Sequence, residues 1–431
     1  MGLAIDPGLL AELTGGRPVA LVTGTNGKTT TTRMLVAALS GGETAVIASN
    51  DTGANMPAGH VAALAGTPDS VPAVLEVDEG YLPRLIEETR PRVVILLNLS
   101  RDQLDRISEV RMLVERWRSA LATLPTAGDR PGAGTTVVAN ADDPMVAWAA
   151  STAPRVCWVG VGQVWRNDSV GCPACGGRIV FGAAGGWSCD RCEFARPRLD
   201  AWLEGAVLVT AEGARHPVDI GLPGQFNRGN AAMVAMAAPF MAGGDMEMDD
   251  AIRSPDVPTA LARLGSIDQV AGRFGSIVRK GHPVRMLLAK NPAGWTAIFD
   301  LLDEREPEPG AGGLPGAGAP PGPVVLSINA RTADGLDTSW LWDVPFERLA
   351  GRPVVATGDR RLDLAVRLRY AEVDHTVAAG PLAALDRAVE MASRPADGAG
   401  AGGGGRVERS APAPIDFLGN YTAFADLRTS R

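Results

Sequence analysis

A glycine-rich turn between an apolar segment and a helical segment lies near the start of this 431-residue chain. Residues 23–32 read T-G-T-N-G-K-T-T-T-T and directly follow the apolar residues 19–22. In such a turn, the backbone N–H groups and the N-terminus of the following helix bind phosphate oxygens. The turn therefore predicts a strand and a helix packed together in an α/β fold, with a nucleotide phosphate as the ligand.

The side chains of this turn predict how the phosphates are bound. Lys28 is expected to contact the β- and γ-phosphates, and the Thr29 hydroxyl is expected to coordinate Mg²⁺. The standard loop has a glycine five residues before its Gly-Lys pair; here that position is Val22, so the loop is a variant. A chance Gly-Lys-Thr turn is the alternative. The residues of the turn predicted to bind ATP are Thr25, Asn26, Gly27, Lys28, Thr29 and Thr30.

Short apolar segments alternate with helical patterns along the first part of the chain. Further strands are predicted at residues 44–48, 73–77, 92–97, 136–139 and 156–159. One helix is predicted at residues 104–124, and a buried core helix at residues 231–242. Because strand and helix alternate, we predict a doubly wound, mostly parallel sheet over residues 1–268.

A second, smaller α/β domain is predicted over residues 269–431, with strands such as 324–328 and 353–357. Two low-complexity stretches interrupt it, at about residues 306–323 and 395–414, and both are rich in Gly, Ala and Pro. Neither stretch carries enough apolar side chains to form a core, so both are expected to be surface loops.

Four of the five cysteines form two C-x-x-C pairs separated by 13 residues: Cys172, Cys175, Cys189 and Cys192. Two such pairs complete a tetrahedral four-thiolate Zn²⁺ site, which is closed and structural. Two disulfides of a secreted protein are the alternative. The chain begins with no signal peptide, and the phosphate loop is typical of cytosolic proteins, so zinc is favoured. The predicted zinc ribbon interrupts the α/β alternation as an insertion over about residues 163–205.

Charge and hydropathy restrict the partners. The net charge of -8 argues against a general nucleic-acid-binding protein. No apolar run reaches the roughly 18 residues that a membrane-spanning helix needs. We therefore expect a cytoplasmic protein that acts on any membrane-bound substrate at the inner face of the plasma membrane.

The phosphate loop resembles that of the Mur ligases and folylpolyglutamate synthases, which activate a carboxylate as an acyl phosphate for attack by an amine. Five further segments resemble the family in the same order. They are L-E-V-D-E-G at 75–80, V-V-A-N-A-D-D-P at 137–144, G-Q-F-N-R-G-N at 224–230, A-G-R-F at 271–274 and A-K-N-P-A-G at 289–294. The resemblance covers most of residues 19–300.

This resemblance implies roles for particular residues. Glu76 would bind a second Mg²⁺, Asn227 and Asn230 would recognise adenine, and Arg273 would contact ATP. Helix capping is the alternative for the two asparagines. Lys290 is a hypothesis for an added cation, because it is one of only three lysines; a plain surface lysine is its alternative.

Several features depart from the peptidoglycan-precursor ligases. The phosphate loop starts so early that no UDP-binding domain is expected before it. The chain has no lysine between Lys28 and Lys280, so the carbamylated lysine of many relatives is absent. Gln103 occupies the histidine position of a D-H-L-D type segment, which puts a metal ligand there in doubt.

Residues 333–343 read A-D-G-L-D-T-S-W-L-W-D. With the ribbon and the R-D-Q-L-D-R segment, they resemble the MurT family, the ligase subunits of lipid II isoglutaminyl synthase. The resemblance implies ATP-dependent amidation of the α-carboxylate of D-glutamate in the lipid II stem peptide. It also implies a separate GatD-type glutaminase as partner, whose Cys-His pair Asp343 would complete; Asp337 is the runner-up. An aspartate that ends a strand is the alternative.

The remaining sulfur and imidazole groups suggest no glutaminase within this chain. Such an enzyme needs a nucleophilic Cys paired with a His. Cys157 lies in an apolar strand and is interpreted as a buried structural thiol. The four histidines, which we interpret as structural, are His60, His216, His282 and His375. An amino-acid-adding ligase of the folylpolyglutamate synthase or Mur type is the alternative function, and a non-catalytic scaffold is disfavoured by the intact phosphate loop.

Overall fold

The computed structural model describes residues 6, 8–41, 46–50, 53–101, 107–125, 134–241, 255–265, 267, 274–303, 322–331, 334–393 and 414–429. The chain divides into two compact units, residues 1–101 with 105–268 and residues 102–104 with 269–431. Arg273, Gln103 and almost all of the two predicted low-complexity loops lie outside the described residues. Within the described residues, no helix has the length and apolar character needed to cross a bilayer.

The first unit contains a sheet with the strand order β11-β10-β9-β6-β5-β4-β1-β3-β2. Its strands are β1 (Val19–Thr23), β2 (Ala48–Ser49), β3 (Ala73–Glu76), β4 (Val93–Leu96), β5 (Thr136–Asn140), β6 (Val156–Gly160), β9 (Ala201–Glu204), β10 (Val207–Thr210) and β11 (Arg215–Pro217). All pairings from β2 across to β9 are parallel, and β10 is antiparallel to both of its neighbours. The predicted mostly parallel sheet is thus confirmed.

Helices pack in two groups beside this sheet. The helices are α1 (Leu9–Thr14), α2 (Lys28–Leu39), α3 (Pro57–Ala65), α4 (Leu82–Thr89), α5 (Ile107–Leu121), α6 (Pro144–Ala150), α7 (Gln225–Ala237) and α8 (Val257–Leu264). Helices α1, α3, α4, α5 and α6 contribute to one apolar core with the sheet, whereas α2, α7 and α8 pack together. Strands β1, β3, β4 and β5 are buried along their whole length, as a sheet covered on both faces requires.

Three predicted boundaries shift. The strand expected at 44–48 is β2 at Ala48–Ser49, and residues 42–45 lie outside the described residues. The helix expected at 104–124 spans Ile107–Leu121. The core helix expected at 231–242 is the second half of α7, which begins at Gln225, directly after Gly224, and is followed by a 3-10 turn at Ala238–Met241.

The predicted insertion contains a small antiparallel hairpin of β7 (Ile179–Phe181) and β8 (Trp187–Cys189). It is shorter than the expected 163–205, because β9 already belongs to the main sheet. Val159 in β6 pairs in parallel with Ala201 in β9. The ribbon therefore forms the crossover connection between two parallel strands, a place that a helix usually fills.

The second unit has a sheet with the order β12-β13-β17-β14-β15-β16, parallel except for β12 against β13. Its strands are β12 (Phe274–Arg279), β13 (His282–Leu288), β14 (Val324–Ser327), β15 (Val354–Thr357), β16 (His375–Val377) and β17 (Ile415–Gly419). Its helices are α9 (Pro292–Asp303), α10 (Arg361–Tyr370), α11 (Pro381–Ala392) and α12 (Tyr421–Thr429). An aromatic core that includes Trp295, Phe299 and Phe346 packs on one face of this sheet.

Candidate functional site

The predicted phosphate loop lies between β1 and α2 and is supported by the segment after β4. Gly24 and Gly27 have φ values of 140° and 90°, which other residues rarely adopt. The Thr25 backbone N–H donates to Asn98 O at 2.9 Å, and Thr25 Oγ1 accepts from the Ser100 backbone N–H at 3.0 Å. The Asn26 backbone N–H donates to Asn98 Oδ1 at 2.9 Å. Asn98 therefore holds the loop backbone, and Ser100 holds the Thr25 side chain.

Asn98 and Ser100 were not among the residues predicted for the site. Their segment, N-L-S, follows a predicted strand whose carboxyl end lies at the same edge as the loop. A Cβ atom at Gly24 would lie 2.9 Å from Asn98 N, so the two segments approach too closely for any larger residue. Short polar residues after β4 were the available signal, since the ends of neighbouring parallel strands meet.

Lys28 is buried at the start of α2. Its ammonium donates to Gly24 O at 2.7 Å and to Glu79 Oε1 at 3.0 Å. Glu79 is a third residue that the sequence reasoning missed, although it stands three positions after Glu76 in L-E-V-D-E-G. Thr29 follows in the first turn of α2 and is half-buried. The predicted phosphate-binding lysine thus faces a carboxylate in this structure.

Glu76 is the last residue of β3. It pairs with Val22, the second-last residue of β1, which leads into the phosphate loop. Its side chain is buried, and Oε1 accepts a long hydrogen bond of 3.3 Å from Asn55 Nδ2. Oε2 is buried with no hydrogen-bond partner among the described residues. A buried carboxylate oxygen without a donor is costly unless a cation binds it, and carboxylate oxygen is a preferred Mg²⁺ ligand. The residue fits the predicted metal.

His60 supports the strand end behind Glu76. The ring is fully buried, and its Nε2 lies 2.8 Å from Glu76 O. Burial lowers the pKa of His60, although its hydrogen bond to Glu76 O partly opposes this. The imidazole is therefore neutral at physiological pH and donates through Nε2.

Asn227 and Asn230 lie in the first two turns of α7. Asn227 is fully buried; its Nδ2 donates to Pro223 O at 2.6 Å, while its Oδ1 has no partner among the described residues. A Cβ atom at Gly27 would lie 3.0 Å from Asn230 Oδ1, so Asn230 lies against the phosphate loop. The N-cap residue of α7 is Gly224, without a side-chain cap. The capping alternative is therefore wrong for both asparagines.

Asp143 connects the V-V-A-N-A-D-D-P segment to the same edge of the sheet. Its Oδ1 accepts from the Met145 and Val146 backbone N–H groups at the start of α6, and its Oδ2 accepts from the Leu99 N–H at 2.9 Å. Burial raises the pKa of Asp143 to about 6, although these three donors oppose the rise. Asp143 thus ties α6 to the segment that supports the loop.

The four ribbon cysteines come together. Cys172 Sγ lies 3.7 Å from Cys192 Sγ, and Cys175 Sγ lies 3.5 Å from Cys189 Sγ. All four sulfur atoms lie within 4.8 Å of one another. These separations exceed the roughly 2.05 Å of an S–S bond and match four thiolates around one ion. The arrangement fits the predicted zinc site and not the disulfide alternative.

The second unit carries the remaining predicted residues. Asp343 ends a 3-10 turn, Ser339–Asp343, and is partly exposed. The Asp337 carboxylate accepts from the Ser339 backbone N–H at 2.8 Å and from its hydroxyl at 2.7 Å, and the N–H bond most strongly lowers the pKa of Asp337. Lys290 follows β13 and is half-buried. Trp342, the neighbour of Asp343, is 55% exposed.

These features agree with comparisons to known proteins. Residues 22–238, half of the chain, match the Mur ligase middle domain. The chain therefore belongs to the Mur ligase family, whose members are ATP-dependent ligases. Residues 288–399 match the MurT ligase C-terminal domain, and the W-L-W-D segment that resembles this family lies within the match.

Curated relatives from two bacterial species carry the MurT name. The chain is 27% identical over 376 residues to "Lipid II isoglutaminyl synthase (glutamine-hydrolyzing) subunit MurT" of Staphylococcus aureus, covering 83% of this chain and 78% of the relative. The protein of the same name from Streptococcus pneumoniae is 28% identical over 397 residues, covering 86% and 80%.

Solved structures share the fold. A pseudomurein peptide ligase type C from Methanothermus fervidus has a TM-score of 0.61 at 20% identity, covering 96% of this chain and 79% of its own. MurF ligase from Thermotoga maritima in complex with ADP has a TM-score of 0.53 at 14% identity, covering 99% and 82%.

Proposed function

We propose that this chain is the ligase subunit that amidates the α-carboxylate of D-glutamate in the stem peptide of lipid II, forming D-isoglutamine during peptidoglycan biosynthesis. The observation that carries this proposal is the similarity of more than four-fifths of the chain to MurT subunits of lipid II isoglutaminyl synthase. The match of residues 288–399 to the MurT ligase C-terminal domain also supports the proposal.

The geometry of the first unit supports ATP as the activating substrate. Backbone N–H groups of residues 24–29 and the N-terminus of α2 would bind the phosphates, and Lys28 would turn from Glu79 to them. Thr29 and Glu76 would hold Mg²⁺, which offsets phosphate charge. Asn227 and Asn230 would contact adenine, with Oδ1 of Asn227 open as an acceptor. Arg273 remains a predicted ATP contact.

The reaction we propose has two steps. A carboxylate oxygen of the substrate attacks the γ-phosphorus and ADP leaves, which gives an acyl phosphate. Ammonia then attacks the acyl carbon, the C–O bond to phosphate breaks, and a proton is lost from nitrogen. Water must be kept from the acyl phosphate, so closure around the bound substrate is expected.

The nitrogen is proposed to come from glutamine hydrolysed by a separate GatD-type subunit. Burial raises the pKa of Cys157 to about 12, which makes it a poor nucleophile. The other four cysteines form the cluster that is predicted to bind zinc. Asp343 is our proposal for the residue that completes the partner's Cys-His pair. Asp337 is a weaker choice, because both its hydrogen bonds go to Ser339.

An exposed apolar stripe next to Asp343 supports a protein partner at this place. On α10, Leu362, Val366 and Tyr370 are 66%, 51% and 72% exposed, and they share one face at a spacing of four residues. The ring of Trp342 packs against Tyr370 with centroids 5.3 Å apart. Exposed aromatic residues with neighbouring aliphatic side chains are typical of protein interfaces.

The direct test is co-purification with a glutaminase partner, followed by mass spectrometry of lipid II incubated with ATP and glutamine. The expected result is the mass decrease for replacement of a hydroxyl by an amino group in each stem peptide. Unchanged lipid II would contradict the proposal. Addition of a free amino acid, without a glutaminase, would instead support the folylpolyglutamate synthase or Mur-type alternative.

Asp343→Asn tests the role of this residue within the complex. Glutamine-dependent amidation is expected to fall strongly, while amidation supplied with free ammonia is expected to continue. Asp337→Asn is the matched control, since it removes a charge from the same segment. Equal glutamine hydrolysis in the Asp343 variant and the wild type would remove Asp343 from the mechanism.

A further inference from the structure

The base of the zinc ribbon is bonded to the segment that supports the phosphate loop. Asp168 lies four residues before Cys172, and its side chain is only 2% exposed. It forms an ion pair with the Arg101 guanidinium and also accepts from the Arg101 backbone N–H at 3.1 Å. The Trp165 indole N–H donates to the same carboxylate at 2.6 Å. Arg101 directly follows Ser100, which binds Thr25 of the loop.

A second connection starts on the other side of the ribbon. Arg196, four residues after Cys192, forms an ion pair with Asp142, whose side chain is 2% exposed. Asp142 Oδ2 also accepts from three consecutive backbone N–H groups, those of residues 161–163, at 2.9, 2.7 and 3.1 Å. Gln163 in this turn accepts from Asn140 Nδ2 at 2.6 Å. The same amide of Asn140 donates to Leu97 O at 2.8 Å.

The ribbon core is also packed rigidly on the first unit. The Trp187 indole N–H donates to Ala141 O at 2.9 Å. Phe194 packs between Trp187 and Trp148 of α6, with ring centroids at 4.9 and 5.4 Å. Asp168 and Arg196 each lie four residues from a cysteine, and the aromatic packing lies inside the ribbon. A metal ion that orders the ribbon would therefore also fix the positions of these side chains.

We propose that the zinc ribbon positions the phosphate loop, through Asp168 and Arg101 on one side and Arg196 and Asp142 on the other. Both connections end on residues 97–101. Within this segment, Asn98 bonds the backbone of Thr25 and Asn26, and Ser100 bonds the Thr25 hydroxyl. Asp168 and Arg196 are positioning residues that do not touch the nucleotide. The inference rests on one part of the proposed function, which is that residues 24–30 bind a nucleotide.

The mechanism is preorganisation of the loop. A phosphate loop binds through several backbone N–H groups at once, so small displacements weaken all of these bonds together. Substitutions along a packed network between two sites typically change their coupling by about 0.5–2 kcal/mol, which corresponds to roughly 2- to 30-fold in affinity. Because Asp168 and Asp142 are both buried and ion-paired, we expect loss of either connection to change nucleotide affinity by an amount within this range.

The test measures ADP and ATP-analogue dissociation constants of the full chain, with Mg²⁺ and without lipid substrate. Asp168→Ala is expected to raise the dissociation constants by roughly 2- to 30-fold while zinc content stays at the wild-type value. Asp219→Ala, an exposed aspartate of the same unit, is the matched control and should not change binding. Arg196→Ala tests the second connection and carries the test if Asp168→Ala does not fold.

A merely structural role predicts a different pattern. It predicts lower thermal stability in both variants, with nucleotide affinity unchanged at a temperature well below unfolding; this result would overturn the inference. The Asp168→Ala and Cys175→Ser changes should also be non-additive in affinity, because both act on one connection. A wild-type chain that binds no nucleotide would contradict the proposed function, whereas unaltered binding in the variants contradicts only the ribbon's positioning role.

Discussion

The Lys28 ammonium lies 3.0 Å from Glu79 Oε1, and both side chains are largely buried, with 6% and 17% exposure. The lysine predicted to bind phosphate is therefore already neutralised by a carboxylate of the β3–α4 connection. A nucleotide has to replace Glu79 at Lys28, or bind with Glu79 close to its phosphates. Either arrangement costs affinity, because an anion near phosphate is unfavourable at low dielectric.

Glu79→Gln is accordingly expected to tighten nucleotide binding. Removing the competing charge frees Lys28, and a partly buried ion pair of this kind corresponds to about 1 kcal/mol, or roughly fivefold in the dissociation constant. Calorimetric titration with an ATP analogue measures the effect, with Glu88→Gln on α4 as a control. Weaker binding in Glu79→Gln would show that Glu79 acts in the bound state, for example by holding a cation.

Asn227→Ala is expected to weaken ATP binding by about 1–3 kcal/mol and to reduce discrimination between ATP and GTP. Asn227 is buried, and its Oδ1 has no hydrogen-bond partner among the described residues. A donor on the adenine ring would therefore form a hydrogen bond with Oδ1 that the alanine variant loses. Competition binding with both nucleotides measures this change. Asn167→Ala, at an exposed position, serves as the control. An equal loss of affinity for ATP and GTP would show that Asn227 does not recognise the base.

Purified protein is expected to contain one zinc per chain, unaffected by ATP, because the four-thiolate site is closed. Cys175→Ser should lose most of this zinc, whereas Cys157→Ala should retain it, since Cys157 lies in β6 outside the cluster. Elemental analysis together with thiol counting after chelation measures both. Full zinc content in Cys175→Ser would contradict a four-cysteine site.

Tyr370→Ser is expected to weaken binding of the glutaminase partner at least roughly fivefold, because exposed aromatic residues at interfaces often contribute more than 1 kcal/mol. Tyr421→Ser is a close control, since Tyr421 is 62% exposed on another helix of the same unit. Pull-down titration with the co-purified subunit measures the ratio of the dissociation constants of the variant and the wild type. If both variants bind alike, the partner occupies another surface.

The Asp143 carboxyl is expected to titrate near pH 6, since its pKa is raised to about 6 by burial. The unfolded chain has the lower, ordinary value near 3.9, so the folded state binds this proton more tightly. The contribution of Asp143 to stability is thus fully present below about pH 4 and is lost as pH rises through about 6. Infrared difference spectra of the wild type against Asp143→Asn, recorded over a range of pH, give the midpoint of the Asp143 titration. A midpoint near pH 4 would contradict the effect of burial on this pKa.

The sequence predicted the chemistry of single residues better than the contacts between them. Glycines 24 and 27 and Lys28 were recognisable, because a phosphate loop needs those residue types in a short segment. The cysteine spacing likewise predicted a cluster that the fold forms. Asn98, Ser100 and Glu79 were missed, because their partners lie many residues away and only the parallel register of β1 with β3 and β4 brings them together.

Strand β9 shows that contacts between distant segments also limit the prediction of the fold from sequence. Its residues were assigned to the end of the insertion, because four residues carry little periodicity. Pairing with β6, which lies 40 residues earlier in the chain, determines that they extend the main sheet.

The ribbon as the β6–β9 crossover also affects the order in which the chain folds. Without a bound metal, the four thiolates would not order the 40-residue connection between Gly160 and Ala201, so pairing β9 with β6 would cost more conformational entropy. The growing sheet then ends at β6 with unpaired backbone groups, the kind of edge that recruits other chains. We therefore expect zinc supply during synthesis to affect the soluble yield, separately from any role of the metal in the folded protein.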